Sequence, residues 1–252
     1  MNKNCIISTI AKPSLHRRWL RDGRIYDCYF TTYRKTDFCI YELDGELVIY
    51  SETPEPFINH FEMLQRIASK PYEYYFFIDC NLDITSEQIN QLFQFMKEYN
   101  LEGCMPALSL NNYLFPEHIS RNNSKLHFVN YLDTRCVIFS HQALSEILTT
   151  FKTKEISGIE AEWFKLLGSP TNKLAVIDIV EAELKDNNGI NIETYEKLLK
   201  SDTYKPYCFG FIDLENNISM ESRKKRLNPN PSIERLKKKT KKVINPFNEV
   251  SV

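Results

Sequence analysis

The chain has 252 residues, of which 42% are hydrophobic and 26% charged, and its net charge is −1. That composition can bury a core in one large domain or two small ones, and it excludes a globally disordered chain. No apolar run approaches the roughly 20 residues that cross a bilayer, and seven scattered cysteines with no C-x-x-C pair argue against a zinc site or a disulfide framework.

The charge is uneven. Residues 221–252 carry ten Lys or Arg and three Glu, a balance of +7, which leaves residues 1–220 at −8. An acidic body with a basic tail suggests that the tail meets an anionic surface. The start, Met1-Asn-Lys-Asn-Cys5, lacks the features of a secretory signal, so a cytoplasmic protein is expected.

In chain order, residues 5–10 read as a buried strand and residues 26–33 as a second, rich in aromatic and β-branched side chains. Residues 38–41 and 46–50 read as short strands around an Asp44-Gly45 turn. Pro54 and Pro56 break the chain before a helix over 57–68. A strand over 74–78 follows, then a helix over 86–99 with Ile89, Leu92, Phe93 and Met96 on one face. Strands over 103–108, 137–139 and 173–180 are expected, with a polar loop over 111–124 and helices over 142–151, 160–167 and 192–199. Alternating strands and helices predict an α/β fold with a mostly parallel central sheet flanked by helices. The expected organisation is one domain over 1–220 and a basic, partly amphipathic tail over 221–252.

The most informative stretch is Tyr74-Tyr-Phe-Phe-Ile-Asp79-Cys80-Asn81-Leu82-Asp83. A buried strand that delivers carboxylates to its C-terminal end is where an open α/β sheet builds a ligand site. Oxygen ligands there suit Mg²⁺ or Mn²⁺ carrying a nucleotide diphosphate. The plainer alternative is a turn at Asp79 and Asn81, with Thr85 or Ser86 capping the next helix. Neither G-x-G-x-x-G nor a P-loop occurs, which counts against dinucleotide and ATP P-loop sites.

In order and spacing, several segments resemble a poorly characterised family assigned as glycosyltransferases, domain of unknown function 707, found in bacteria and plants. They are Ser14-Leu-His16-Arg17-Arg18-Trp19, Tyr26-Asp27-Cys-Tyr with Tyr33, Tyr72-Glu-Tyr74 with Phe77-Ile-Asp79-Cys80-Asn81-Leu82, and Cys104-Met-Pro106-Ala107-Leu108. Val137-Ile-Phe139-Ser140 with Ala143-Leu144, Ser157-Gly158 with Glu160 and Trp163, and Ala175-Val-Ile177-Asp178 complete the series, which covers about residues 5–180. The resemblance implies a GT-A-like, Rossmann-like transferase with a nucleotide-sugar donor and a hydroxyl acceptor. Asn81 stands where the family has a second acid, the Gly-Trp-Gly-Leu-Asp segment is shortened, and the histidine expected after Asp178 is replaced by Glu181 and Glu183 nearby.

On this reading Asp79 and Asn81, with Asp83 as a third ligand, hold a divalent cation, Mg²⁺ or Mn²⁺, or else Asp79 and Asn81 hold the donor ribose and diphosphate directly. Glu160 or Glu162 is the general base that deprotonates the acceptor. His16, Arg17 and Arg18 follow the first strand and reach the donor phosphates, or else form an ordinary basic loop. Asp27 and Asp178, in or at the ends of strands, join the donor site. Ser232 caps a basic amphipathic helix suited to an anionic membrane surface. That places the protein on the inner face of the membrane and brings it to a saccharide or glycolipid acceptor in surface polysaccharide or lipopolysaccharide assembly. A non-catalytic nucleotide- or saccharide-binding homologue is the second expectation. A nucleic-acid partner is not expected, because the body is acidic and no nucleic-acid motif is present.

Overall fold

The computed structural model describes residues 2–109, 116–149, 166–167, 173–185 and 208–220, all within one compact unit spanning Met1–Glu221. The expected helices over 160–167 and 192–199, residues Glu160 and Glu162, and the basic tail lie wholly or almost wholly outside the described residues.

Strands β1 (Asn4–Thr9), β2 (Tyr26–Thr32), β3 (Leu47–Tyr50) and β4 (Tyr74–Ile78) lie in the order β3-β2-β1-β4, all parallel. Beyond β4 come β8 (Cys136–Ser140), β6 (Gly103–Leu108), β9 (Leu174–Leu184), β7 (Ser124–Val129), β10 (Cys208–Asp213) and β11 (Ile218–Met220). β8 runs antiparallel to both β4 and β6, whereas β6 and β9 are parallel. β7, β10 and β11 pair antiparallel. The sheet is therefore mixed, not mostly parallel: β8 inserts against the grain between two parallel groups. β1, β2, β3, β4, β6 and β9 still point the same way, so their C-terminal ends share one edge.

The core is what the apolar runs demanded. Cys5, Ile6, Ile7, Phe76 and Ile78 are essentially fully buried, as expected for strands covered on both faces. Helix α3 (Ser86–Glu98) buries Ile89, Leu92, Phe93 and Met96. It starts on a reciprocal cap: Thr85 Oγ1 accepts from Gln88 N at 3.3 Å, and Thr85 N donates to Gln88 Oε1 at 2.9 Å. Helices α2 (Pro56–Arg66) and α4 (His141–Leu148) match the expected helices within a few residues.

Several elements differ from expectation, among them β5 (Leu82–Asp83), β10 and β11, which were not expected. Residues 38–41 are not a strand but the end of α1 (Lys35–Tyr41), whose buried side chains, Asp37 and Tyr41, are spaced i, i+4. Asp44-Gly45 is still a turn, but it leads from a helix into β3. Gly45 has φ +76°, and an added Cβ would sit 2.7 Å from the Cys28 carbonyl oxygen. β7 begins where the polar loop over 111–124 was expected to end. His127 breaks its apolar pattern, yet it is buried because Asp178 partners it.

β9 carries a bulge. Its partner on β6 jumps from Ile177 opposite Pro106 to Glu181 opposite Ala107. The strand continues to β5 (Leu82–Asp83), where it pairs antiparallel. The far half of β9 thus reaches the segment that follows β4.

Candidate functional site

β1 is flanked by β2 and β3 on one side and by β4 on the other, so the strand order reverses between β1 and β4. The crevice outside the carboxyl ends of strands at such a reversal is the usual ligand position in open α/β sheets. Two loops meet there, and Leu15 N donates to the Cys80 carbonyl at 2.7 Å. Asp79, half-buried, closes the turn that the plainer alternative placed here: its Oδ1 accepts from Asn81 N at 2.8 Å, and its own N donates to the Arg135 carbonyl at 2.7 Å. The β1–β4 register continued by two steps and the β4–β8 register continued by one put Thr9, Asp79 and Arg135 on one row. Between Asp79 and Asn81, burial pushes the Cys80 thiol up to about 11, so it is not a thiolate nucleophile near neutrality.

His16, Arg17 and Arg18, the basic residues expected at the donor phosphates, are committed within the protein. His16 is buried and bonds Ser14 Oγ through Nδ1 at 2.7 Å and Asp44 Oδ2 through Nε2 at 2.8 Å. Burial lowers its pKa, and Asp44 pulls the other way. It is a buried tie between the β1 loop and the turn before β3, with both ring nitrogens in use. Arg17 donates from Nε to the same Asp44 oxygen at 3.0 Å and lies over the Tyr41 ring. Arg18 pairs with Asp83.

Asp83 stands apart from the other two expected metal ligands. Its Oδ1 accepts from Arg18 and its Oδ2 faces Lys185 Nζ at 3.2 Å, at the point where β5 joins β9. Among the described residues no group of three or more His, Cys, Asp or Glu is placed to hold a metal ion. The donor set that remains at the turn is one carboxylate, Asp79, and one amide oxygen, Asn81. That is too small to form a protein cage, and a cation there would take its other ligands from a diphosphate and water.

Asp27 and Asp178 do not join Asp79. Asp27 lies near the start of β2, opposite Cys5 and away from the C-terminal edge. It accepts from Asn2 Nδ2 at 2.8 Å and from the Tyr72 hydroxyl at 2.6 Å. Asp178 is not at the end of its strand but at the β9 bulge, where its buried carboxylate accepts from His127 Nδ1 at 2.9 Å and Arg121 N at 2.8 Å. His127 Nε2 meets the Glu117 carbonyl at 2.5 Å. Both ring nitrogens are therefore engaged within the protein. His118 and His127 are fully buried.

Sequence reasoning missed other groups on this edge. Arg135 forms a fork on Asp133, Nε to Oδ1 at 2.9 Å and Nη2 to Oδ2 at 2.6 Å, directly beside the Asp79 turn. Asp37 is 97% buried just past β2, and its Oδ2 accepts from Lys12 N at 3.1 Å. Its signal in the sequence was an acid shortly after the second strand. Lys12 and Arg34 follow β1 and β2, and Arg34 Nη1 donates to the Lys12 carbonyl at 3.3 Å.

No family model matches the chain, and no curated protein matches it in sequence. Its fold is similar to the crystal structure of S. aureus TarS residues 1–349, a glycosyltransferase, with a TM-score of 0.52 and 12% identity. The match covers 79% of this chain and 66% of that one, so the chain spans a little under two-thirds of its length. At that identity the likeness shows a shared fold and nothing finer. No helix among the described residues is long and apolar enough to cross a membrane.

Proposed function

We propose that the chain is a nucleotide-sugar-dependent glycosyltransferase of the GT-A type, moving a sugar from a nucleoside-diphosphate donor to a saccharide acceptor. The observation that supports this best is the Asp79–Asn81 turn at the strand-order reversal of a glycosyltransferase-like sheet. There a half-buried carboxylate is held by its neighbours in a position to orient donor hydroxyls, or with Asn81 to ligate Mg²⁺ or Mn²⁺ on the diphosphate. Such an ion would offset charge on the leaving diphosphate. The general base is Glu160 or Glu162 on this reading.

The basic tail extends the proposal to an anionic membrane surface and a glycolipid acceptor in bacterial surface polysaccharide or lipopolysaccharide assembly. A second reading, a non-catalytic nucleotide- or saccharide-binding homologue, is favoured by Asn81 in place of an acid and by the ion pairs that occupy Asp83.

A thermal-shift screen against UDP-, GDP-, CMP- and dTDP-sugars, repeated on Asp79→Ala, tests the donor site. Ligand at 100 times its dissociation constant stabilises by about 2.7 kcal/mol. A shift with one nucleotide class that is lost in Asp79→Ala supports the reading. No shift with any donor, in folded protein, refutes it. Consumption of the bound donor then separates the transferase from the binding homologue.

A further inference from the structure

Resting on the donor reading above, we propose that Lys12 and Arg34 take the donor diphosphate, and that its binding does not require a divalent cation. The cations the sequence pointed to are spent elsewhere: His16 and Arg17 on Asp44, and Arg18 on Asp83. Lys12 and Arg34 are placed differently. Arg34 Nη1 donates to the Lys12 carbonyl, and Lys12 N donates to Asp37, so the loops after β1 and β2 are stitched together. The same β1 loop is bonded through Leu15 to Cys80. Lys12 therefore sits between the end of β2 and the Asp79 turn, on the edge where the crevice opens. Both side chains are exposed, and neither meets a carboxylate among the described residues; the other contact of the Arg34 guanidinium is the Tyr33 ring, 5.5 Å away.

The metal side of the balance is poor. Asp83 gives one oxygen to Arg18 and faces Lys185 with the other. Asn81 is neutral, and Asp79 already spends Oδ1 on Asn81 N. The Arg135 charge also interacts with Asp79. A divalent ion would add two positive charges beside that guanidinium with a single carboxylate to receive it. A guanidinium and an ammonium on adjoining loops suit a diphosphate without it: Arg binds two phosphate oxygens at once and Lys supplies a point charge.

The test is calorimetric titration of the full chain with UDP, GDP, CDP and dTDP, in EDTA and in Mn²⁺. The corresponding nucleosides and inorganic pyrophosphate are the comparison arms. The expected result is one nucleoside diphosphate whose affinity is the same in EDTA and Mn²⁺. Lys12→Ala and Arg34→Ala each weaken it by about tenfold or more, while the free nucleoside binds wild type and variants alike. Loss of pyrophosphate binding in the same variants supports a site for the diphosphate itself. Both side chains are exposed, so folded variants are expected, and the EDTA comparison needs no variant at all. Binding that appears only with Mn²⁺, or variants that bind as wild type does, overturns this inference and leaves the transferase reading standing. No binding of any nucleoside diphosphate in either condition overturns both.

Discussion

Truncating Asp133 to Ala removes the partner of a nearly buried guanidinium. Asp133 accepts three bonds from Arg135: from the backbone N at 3.0 Å, Nε at 2.9 Å and Nη2 at 2.6 Å. The side chains are 2% and 14% exposed, so water cannot take over most of what is lost. Breaking a buried pair by deleting one partner costs about 3–5 kcal/mol, a large share of the 5–15 kcal/mol typical of a domain. At about 2–4 °C per kcal/mol for a unit of this size, the midpoint should fall by about 6–20 °C. Replacing both residues, Asp133→Ala with Arg135→Met, should cost less than the sum of the singles, because no charge is stranded. The pair also has a pH signature. Burial raises the Asp133 pKa, but Arg135 outweighs it, and the carboxyl ends below its ordinary value. A folded pKa below the unfolded one means this stability is present above about pH 4 and is lost as pH falls through the folded value. Calorimetric melts of the wild type, both singles and the double variant at pH 7, with a descending pH series, measure all of this. A loss under about 1 kcal/mol in Asp133→Ala would refute the reasoning, since it would mean that solvent reaches Arg135 and the pair is worth no more than a surface one.

Thr85→Ala should destabilise by about 0.5–2 kcal/mol in denaturant unfolding, because it deletes half of the α3 capping box. His118→Gln should flatten the acid side of the stability profile. Burial pushes His118 down to about 4, so the unfolded chain binds a proton that the native chain refuses, and stability falls as pH drops from about 6.5 toward 4; an unchanged slope between those values would disprove it. Asp83→Asn should cost no more than about 1 kcal/mol, with a penalty that shrinks in high salt, because Arg18 and Lys185 are each nearly half exposed and solvent screens the pairs. His127→Leu should strand the Asp178 carboxylate at the β9 bulge and cost about 3–5 kcal/mol by thermal melts.

Residues 74–98 were legible because their signals are local. An aromatic run must be buried, Asp79 ends it with its own turn, Thr85 and Gln88 are spaced to cap each other, and Ile89, Leu92, Phe93 and Met96 repeat at the period of a helix. The sequence by itself thus determined a strand, an acidic turn and a helix, and with them the end of the sheet to inspect. It could not say which charges there are free. Asp83 pairs with Arg18, 65 positions away, Asp178 with His127 across 51, and His16 with Asp44 across 28. No periodicity encodes such partners. The same holds for β8, whose apolar run reads as a strand but whose antiparallel direction is set by its neighbours in the sheet. Tertiary structure alone decided that Asp27 lies toward the far edge, that Asp178 sits in a bulge, and that Lys12 and Arg34, two unremarked loop residues, meet no carboxylate among the described residues. The physical reason is that burial and strand pairing are properties of the whole assembled sheet, whereas a turn or a cap is complete within a few residues.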